Sequence, residues 1–466
     1  MYKFKKYIIF ALPAVLIVID ILLWIIFPVK HLNGSDYISN ISSEFLATVG
    51  MILFATTILL ALKIKIFERY SGGLDRMIFY HRIIAVVALI IIFIHVATMP
   101  HISDHSLAKP LGSIAMYIFI VLGVLALSEQ LKMIIFKLLN LSKNILGQVK
   151  IIAKILTMLE KLFNIVFKLI EFINYDYNFW KFFHGFIVIA FAIGIIHLSM
   201  ANSLIRTSPI LFYYIIILGV VTIIIFIIKK LFSLFNLAKY SYKLIEMHKM
   251  GSSITQYTLA PQDRAISFKA GQFLYVKFKG SCFIIKEEHP FTISSSPDEN
   301  NIRLTMKEVG NYTSFLNNKL QIGTECYLSG PYGCFNYSQL SINKKQVWIA
   351  GGIGITPFLS CVRGDDKNFS KYLITLFYCN SSEQDSIFAK ELKDISTKYS
   401  NFNSINYCSS ISGRLNVDKI SKFVPDILDR DVFLCGPQQM IKGLRKQLVD
   451  AGLHKNRIHF ELFRFK

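Results

Sequence analysis

Two apolar runs constrain this chain more than any other feature: residues 79–98, FYHRIIAVVALIIIFIHVAT, and residues 180–200, WKFFHGFIVIAFAIGIIHLSM. Each has about the 20 residues that a helix needs to cross the hydrocarbon core of a bilayer. Each also carries two histidines, His81 and His95 in the first and His184 and His197 in the second. A rise of ~1.5 Å per residue separates the first pair by about 21 Å and the second by about 19.5 Å, which puts one histidine of each helix towards either side of the membrane. Ionisable groups at that depth are expensive, and their default reading is functional. Side by side, the two helices offer stacked bis-histidine sites, His81 with His184 and His95 with His197. That is how a pair of haems can bridge a membrane. The competing reading is a set of hydrogen-bonded packing histidines.

Helical phase favours one pair over the other. Fourteen steps of ~100° return to within about 40° of the starting face, so His81 and His95 share a face, with Ala85 and Ala88 leaving room between them. Thirteen steps leave His197 about 140° from His184. Either the helix is distorted near Gly194, by a π-bulge for example, or the haems sit differently against it.

The 53% of hydrophobic residues in this 466-residue chain is concentrated before about residue 232. Apolar spans are expected at 7–27, 44–66, 79–98, 113–134, 180–200 and 210–231, a six-helix bundle. Lys3, Lys5, Lys6, Lys63, Lys65, Arg69, Arg76, Lys229, Lys230, Lys239 and Lys243 flank one set of span ends, and only Lys30, Lys109 and Arg206 flank the other. The positive-inside rule then puts both termini in the cytoplasm, His81 and His184 on the inner side, and His95 and His197 on the outer side. The expected location is the plasma membrane, multi-pass. A net charge of +21 fits membrane lipid with an anionic inner leaflet rather than nucleic acid. Residues 149–175 carry their charges on one stripe and are expected to lie on the inner surface as an amphipathic helix. All seven cysteines follow residue 281 and none forms a CxxC, as in a reduced domain without disulfides or an iron–sulfur cluster. Within the first span, Asp20 is expected to face the bundle and bond a neighbour, with a proton or haem-neighbour role as the alternative. The HISDH stretch with His101, Asp104 and His105 reads either as a solvated loop or as a metal-holding one.

From about residue 240 the pattern changes to short alternating strands and then to strand–helix alternation. Residues 252–340 read as a small antiparallel barrel, and residues 345–466 as a doubly wound α/β unit. The domains expected are therefore 1–235 in the membrane, 240–340 as the β-barrel and 341–466 as the α/β unit. Ala350–Pro357, AGGIGITP, follows an apolar strand and opens a helix, so its glycines let backbone amides approach a pyrophosphate.

Together with HPFTISSSP at 289–297 and CGP at 435–437, this order resembles the ferredoxin–NADP reductase superfamily. The resemblance implies that Pro290, Phe291 and Thr292 hold a flavin ring, with Thr292 at its reactive edge. It places Lys307, Gly310 and Thr313 at the FAD pyrophosphate, and Gly351, Gly352, Gly354, Thr356 and Pro357 at the nicotinamide nucleotide. Cys435, Gly436 and Pro437 would sit beside the nicotinamide. The tail HFELFRFK resembles one whose aromatic ring covers the flavin, here Phe463 or, failing that, Phe465.

Six spans with histidines spaced by fourteen and thirteen, followed by such a reductase, resemble the NADPH oxidase and ferric reductase family, and most closely a prokaryotic NADPH oxidase. That implies FAD, two haems b and NADPH, with NADH possible. It also implies an outer acceptor, O2 or a ferric chelate, and no obligatory cytosolic activator. Arg82 and Arg206 would pair with haem propionates, and Phe191 would occupy the gap between the haems or serve as core. Arg414 would supply charge for the NADPH 2′-phosphate, because beyond YLITLFYC the chain offers only Asn380, Ser381 and Ser382. A ferric reductase and an electron relay for a partner protein or quinone are the alternative readings.

Overall fold

The computed structural model describes residues 8–461 except 31–36, 100–106, 147–149, 174–176, 236–238, 252, 281–287, 341–343 and 365–368. Phe463 and Phe465, and His101, Asp104 and His105, lie outside the described residues. The chain divides into two compact units. One contains Tyr7–Ile64 and Ile78–Leu231. The other joins the short segment Lys65–Met77, which holds the helix α3 (Lys65–Ser71), to Phe232–Lys466.

The first unit is helical: α1 (Ile8–Ile26), α2 (Tyr37–Ala61), most of α4 (Leu74–Thr98), α5 (Ala108–Leu146), α6 (Lys150–Ile173), α7 (Tyr177–His184), α8 (Ile187–Met200) and α9 (Pro209–Leu234). Five stretches are long and apolar enough to cross a membrane: Tyr37–Ala61, Leu74–Thr98, Ala108–Ser128, Trp180–Met200 and Pro209–Leu234. The sixth expected span, Ile8–Ile26, is apolar but falls below that length over its described part, Ala11–Ile26. Two expected spans need revision. For the fourth, the apolar stretch is Ala108–Ser128, and the helix α5 that carries it continues to Leu146. The fifth is broken at Gly185 and Phe186, immediately after His184, and not at Gly194. Of the five stretches, α2 has 72% of its apolar window buried and each of the others 17–22%, so α2 is the helix the rest pack around.

The second unit has two sheets. The first holds β1 (Tyr240–Met250), β2 (Ile254–Pro261), β3 (Phe273–Phe278), β4 (His289–Thr292), β5 (Ile302–Lys307) and β6 (Glu325–Tyr332), in the order β4-β3-β6-β1-β2-β5 and antiparallel at every pairing. It curls until its edges meet through a single bridge, Ile293 to Leu304, around a core of Tyr242, Leu259, Leu274, Val276 and Leu304. The strand missing from the expected 252–340 barrel is β1. A register shift between Leu244 and Glu246 breaks the alternation that marks a strand.

The second sheet is parallel, with β7 (Lys345–Gly351), β8 (Leu373–Asn380), β9 (Phe402–Cys408), β10 (Asp431–Cys435) and β11 (Ile458–Glu461) in the order β11-β10-β7-β8-β9. Both faces of β7 are buried. Trp348 packs with Phe358 and Leu392 on one face, and Val347 and Ile349 pack with Ile420 and Leu444 on the other. That is the doubly wound arrangement expected from strand–helix alternation. The final strand, β11, was read only as a tail. Strand order reverses between β8 and β10 on either side of β7, so the crevice for a nucleotide opens beyond Gly351 and Cys435.

Candidate functional site

In the helical unit, polar groups in apolar surroundings need partners, and three of the four histidines find theirs in backbone carbonyls. His81 Nδ1 lies 3.0 Å from Thr57 O, His95 Nδ1 2.8 Å from Ser43 O, and His197 Nδ1 2.7 Å from Ala108 O. A carbonyl only accepts, so each of these Nδ1 atoms carries hydrogen, and in the neutral ring Nε2 then keeps its lone pair. That is the tautomer a metal-ligating histidine needs, with its ring orientation fixed from behind. Ser43 and Thr57 are spaced like His95 and His81, so one helix, α2, holds both histidines of α4. The Ser43 hydroxyl also lies 2.9 Å from His95 Nδ1 and donates to His95 O at 2.9 Å.

The rings of His81 and His184 have centroids 6.3 Å apart at 74°. One ion held between two imidazoles needs about that separation, since two nitrogen–metal bonds of ~2.0–2.1 Å are added to the two ring radii. Trp180 stacks on His184 at 4.8 Å. His184 Nδ1 is buried and, among the described residues, has no hydrogen-bond partner. The break after His184 has a geometric consequence. Gly185, Phe186 and Val188 donate to Phe182, Phe183 and Gly185, three residues back in each case. Such steps turn ~120° instead of ~100°, so three of them bring His197 about 60° closer to the face of His184. At Gly112 an added Cβ would lie 2.9 Å from the Cε1 and Nδ1 of His197, so this glycine makes room for the ring. Among the described residues no group of three or more His, Cys, Asp or Glu converges. Gly112, beside the His197 ring, and the fully buried Ala88, midway between His81 and His95 on α4, carry the smallest side chains there.

The other expected neighbours fall less neatly. Phe191 is fully buried, with its ring 4.0 Å from where a Cβ on Gly219 would stand, and so packs as core against α9. Arg206 is exposed, donates to Ala201 O at 3.4 Å and lies over the Phe212 ring. Arg82 is exposed.

In the second unit, a cleft of about 280 Å³ is lined by His289, Pro290 and Phe291 of β4 together with Val309–Thr313. It brings together four of the residues expected at the flavin: Pro290, Phe291, Gly310 and Thr313. The Thr313 hydroxyl accepts the N–H of Val309 and of Gly310 and donates to Gly310 O, so it caps the nine-residue helix Asn311–Lys319. The open first-turn amides of that helix suit a phosphate. Thr292 is buried beside Phe273 and Lys307 is exposed, and neither lines the cleft. Sequence reasoning passed over His289 and Tyr312, whose rings stack at 3.6 Å.

The glycine turn and the CGP motif touch. Ala350 and Cys435 are register partners, and a Cβ on Gly354 would stand 2.4 Å from Cys435 O. One on Gly436, whose φ is +153°, would stand 2.9 Å from Gly351 N. Thr356 donates to Ile353 O, and Pro357 opens the helix Thr356–Val362. Pro437 and Met440 wall Gly351. Arg414 is exposed in the turn after Ser409–Ser412, and Ser410 N–H donates to Ser381 O at the end of β8. The turn that carries Arg414 is thus joined to the Asn380–Ser382 loop.

Three further side chains had no local sequence signal. Arg363 pairs with Glu391 and donates to Ser294 O at 2.7 Å, tying the parallel sheet's first helix to the loop after β4. Glu68 accepts Gly333 N–H at 2.6 Å while Lys65 donates to Gly330 O at 2.9 Å, which clamps the GPYG turn; burial raises the Glu68 carboxyl above its usual range. Glu461, the register partner of Cys435, is pushed up to about 8 by burial and then by the Asp75 carboxyl. Burial, and secondarily Glu461, keep the Cys435 thiol well above its ordinary value. Cys435 is therefore a neutral wall and not a nucleophile.

Residues 239–351 match the family model of an FAD-binding domain, and residues 348–446 match that of an oxidoreductase NAD-binding domain. No model of an NADPH oxidase transmembrane domain matches. The glycine betaine monooxygenase reductase subunit of Pseudomonas aeruginosa is 28% identical over 217 residues, covering 44% of this chain and 58% of that protein. Flavohemoprotein A of Dictyostelium discoideum is 28% identical over 184 residues, covering 37% of this chain and 46% of that protein. The chain thus spans about half the length of these relatives. The flavohem-like FAD/NAD binding domain of nitric oxide dioxygenase from Vibrio cholerae aligns at 22% identity and a TM-score of 0.42, over 48% of this chain and 98% of that one. The C-terminal part of the chain thus matches an FAD-binding domain followed by an oxidoreductase NAD-binding domain.

Two predictions follow from the contacts in this unit. Gly354→Val pushes Cys435 out of place, so NAD(P)H-driven flavin reduction by stopped flow should fall by at least tenfold; an unchanged rate would refute the close approach. Because the folded-state carboxyl of Glu461 is raised from 4.5 to about 8, its contribution favours the fold below 4.5 and is lost as pH rises to about 8. Thermal unfolding between those limits should show falling stability in the wild type and a flatter profile in Glu461→Gln.

Proposed function

We propose that this chain carries electrons from cytosolic NADPH across the plasma membrane, by way of FAD and two haems b, to O2 on the outer side, releasing superoxide. NADH would be a fair substitute for NADPH. The observation that carries this reading is the bonding of His81 and His95 to two carbonyls of one helix at matching spacing. It leaves the Nε2 of each free to ligate at two depths. When bound, flavin and haem supply the conversion of a hydride into single electrons and the relay of those electrons.

The protein's own part is binding and positioning. Gly351, Gly352 and Gly354 open the backbone to a pyrophosphate, and Arg414 offers a cation where the 2′-phosphate of NADPH would come. The neutral thiol of Cys435 beside Gly436 lets nicotinamide approach without a competing charge. Pro290, Phe291 and the capped helix at Gly310–Thr313 hold the flavin and its phosphates, with Thr292 behind them and Phe463 or Phe465 as the shielding ring. His81 with His184, and His95 with His197, would ligate the two haems. Arg82 and Arg206 are the cations that propionates would meet, and Arg206 would first have to leave Ala201 O. The five apolar helices, together with Ile8–Ile26, support a six-span arrangement with both ends inside, and the lysine distribution supports its direction.

A second reading has a specific observation in its favour. Relatives are named as a monooxygenase reductase subunit and a propane 2-monooxygenase reductase component, which suits a chain that hands electrons to a partner protein.

The test is NADPH-driven reduction by the purified full chain in detergent. Cytochrome c reduction sensitive to superoxide dismutase should exceed ferric-chelate reduction. A dominant ferric-chelate rate would overturn O2 as acceptor, and flavin reduction with neither acceptor turned over would favour the relay.

A further inference from the structure

The bundle contains an acid that electron transfer does not use. Asp20 is fully buried in the apolar helix α1, and Thr48 of α2 is almost as buried. Thr48 Oγ1 lies 2.7 Å from Asp20 Oδ2 and 2.8 Å from Phe45 O. A carbonyl can only accept, and a threonine hydroxyl has a single hydrogen. Thr48 can share its one hydrogen between Phe45 O and Asp20 Oδ2 only as a weaker three-centre bond. Two full hydrogen bonds need Thr48 to donate to Phe45 O and Asp20 to donate to Thr48, which is the uncharged form of the acid.

The charged and titratable groups around it support the same state. Glu44, one turn from Thr48 on α2, accepts the N–H of Leu204 and of Ile205, each at 2.7 Å, through its two separate oxygens. It is satisfied as the ionised form. Tyr214 of α9 donates its hydroxyl to Leu16 O at 2.8 Å. Among the described residues no ion pair involves Asp20, so no cation compensates a negative charge there.

A second observation points to a ligand. Asp20 Oδ1 and Trp24 Nε1, one turn apart on α1, are both buried without a hydrogen-bond partner among the described residues, as is Ser203 Oγ. The Trp24 ring is held edge-on to Phe45 at 6.0 Å, at the level of the Thr48 contact. The indole only donates, and Oδ1 of the neutral acid only accepts. A single water that takes the Trp24 hydrogen and gives one to Oδ1 satisfies both, as buried waters do for such groups.

We propose that Asp20 is a proton-binding site enclosed by α1 and α2, which carries an exchangeable proton, donates it to Thr48 and is hydrated beside Trp24. This makes it a membrane-embedded proton store, and it stands whether or not the histidines bind haem.

Infrared spectroscopy of the purified full chain in detergent near neutral pH tests it, because a protonated carboxyl has a C=O stretch well separated from that of a carboxylate. The wild type should show that band, it should shift on transfer to D2O, and 13C-aspartate labelling should move it. It should vanish in Asp20→Asn and rise in frequency in Thr48→Val, which removes the accepted hydrogen bond. Labelling of the wild type keeps the assignment open to test even if Asp20→Asn fails to fold. The absence of an aspartic-acid band would mean an ionised Asp20 and overturn the proposal. So would a band that moves with 13C-aspartate labelling and yet persists in folded Asp20→Asn, or one indifferent to D2O, which would mean a dry site; a band from the Glu461 carboxyl is set apart because aspartate labelling leaves it in place.

Discussion

An imidazole in an apolar bundle is costly to leave with its ring N–H unpaired, and three of the four histidines of the helical unit meet that constraint in one way, His184 being the exception. The solution is to turn each ring so that Nδ1 meets a backbone carbonyl of a neighbouring helix: Thr57 O and Ser43 O for α4, Ala108 O for α8. The carbonyl bond needs no polar side chain, fixes ring and tautomer together, and directs the free nitrogen away from the helix that supplies the bond. It also explains why α2, which carries no histidine, is the most enclosed of the long helices. Its backbone provides the partners for both histidines of α4, while its side chains Glu44 and Thr48 meet the Leu204–Ile205 turn and Asp20.

What could be read from the sequence was whatever has a local signature. The matched histidines, the apolar spans, the AGGIG turn and the CGP motif each advertise themselves within a few residues. The parallel sheet then brings the last two together, because β7 and β10 are neighbours. Features produced by long-range contacts were not legible. Glu68 and Arg363 look like ordinary surface charges until the chain folds back on them. Helical phase leaves open whether the second histidine helix is distorted near Gly194 or the haems sit differently against it, and the i−3 bonding that breaks the helix at Gly185 depends on the folded chain. Strand β1 was missed because its bulge cancels the period of two at the point where the pattern would be recognised.

The second unit shows how a reductase holds its parts in register. Arg363 joins the first helix of the parallel sheet to the loop after β4 through Glu391 and Ser294 O, and Ser360 adds a hydroxyl bond to Ser295 O. The clamp of Lys65 and Glu68 on the GPYG turn brings the Lys65–Met77 segment into the same unit. Asp75, at the end of that segment, then takes part in setting the protonation of Glu461 beside Cys435. These contacts bring four separate stretches of sequence to one place.

The proposal that two histidine pairs would hold two haems is tested most directly by haem stoichiometry. Pyridine haemochrome analysis of the purified full chain should give two haems b per chain with a low-spin spectrum. Replacing His95 by Ala should lower that to one and leave flavin reduction by NAD(P)H intact. Finding one haem or none in the wild type, or two in the His95 variant, would contradict the account.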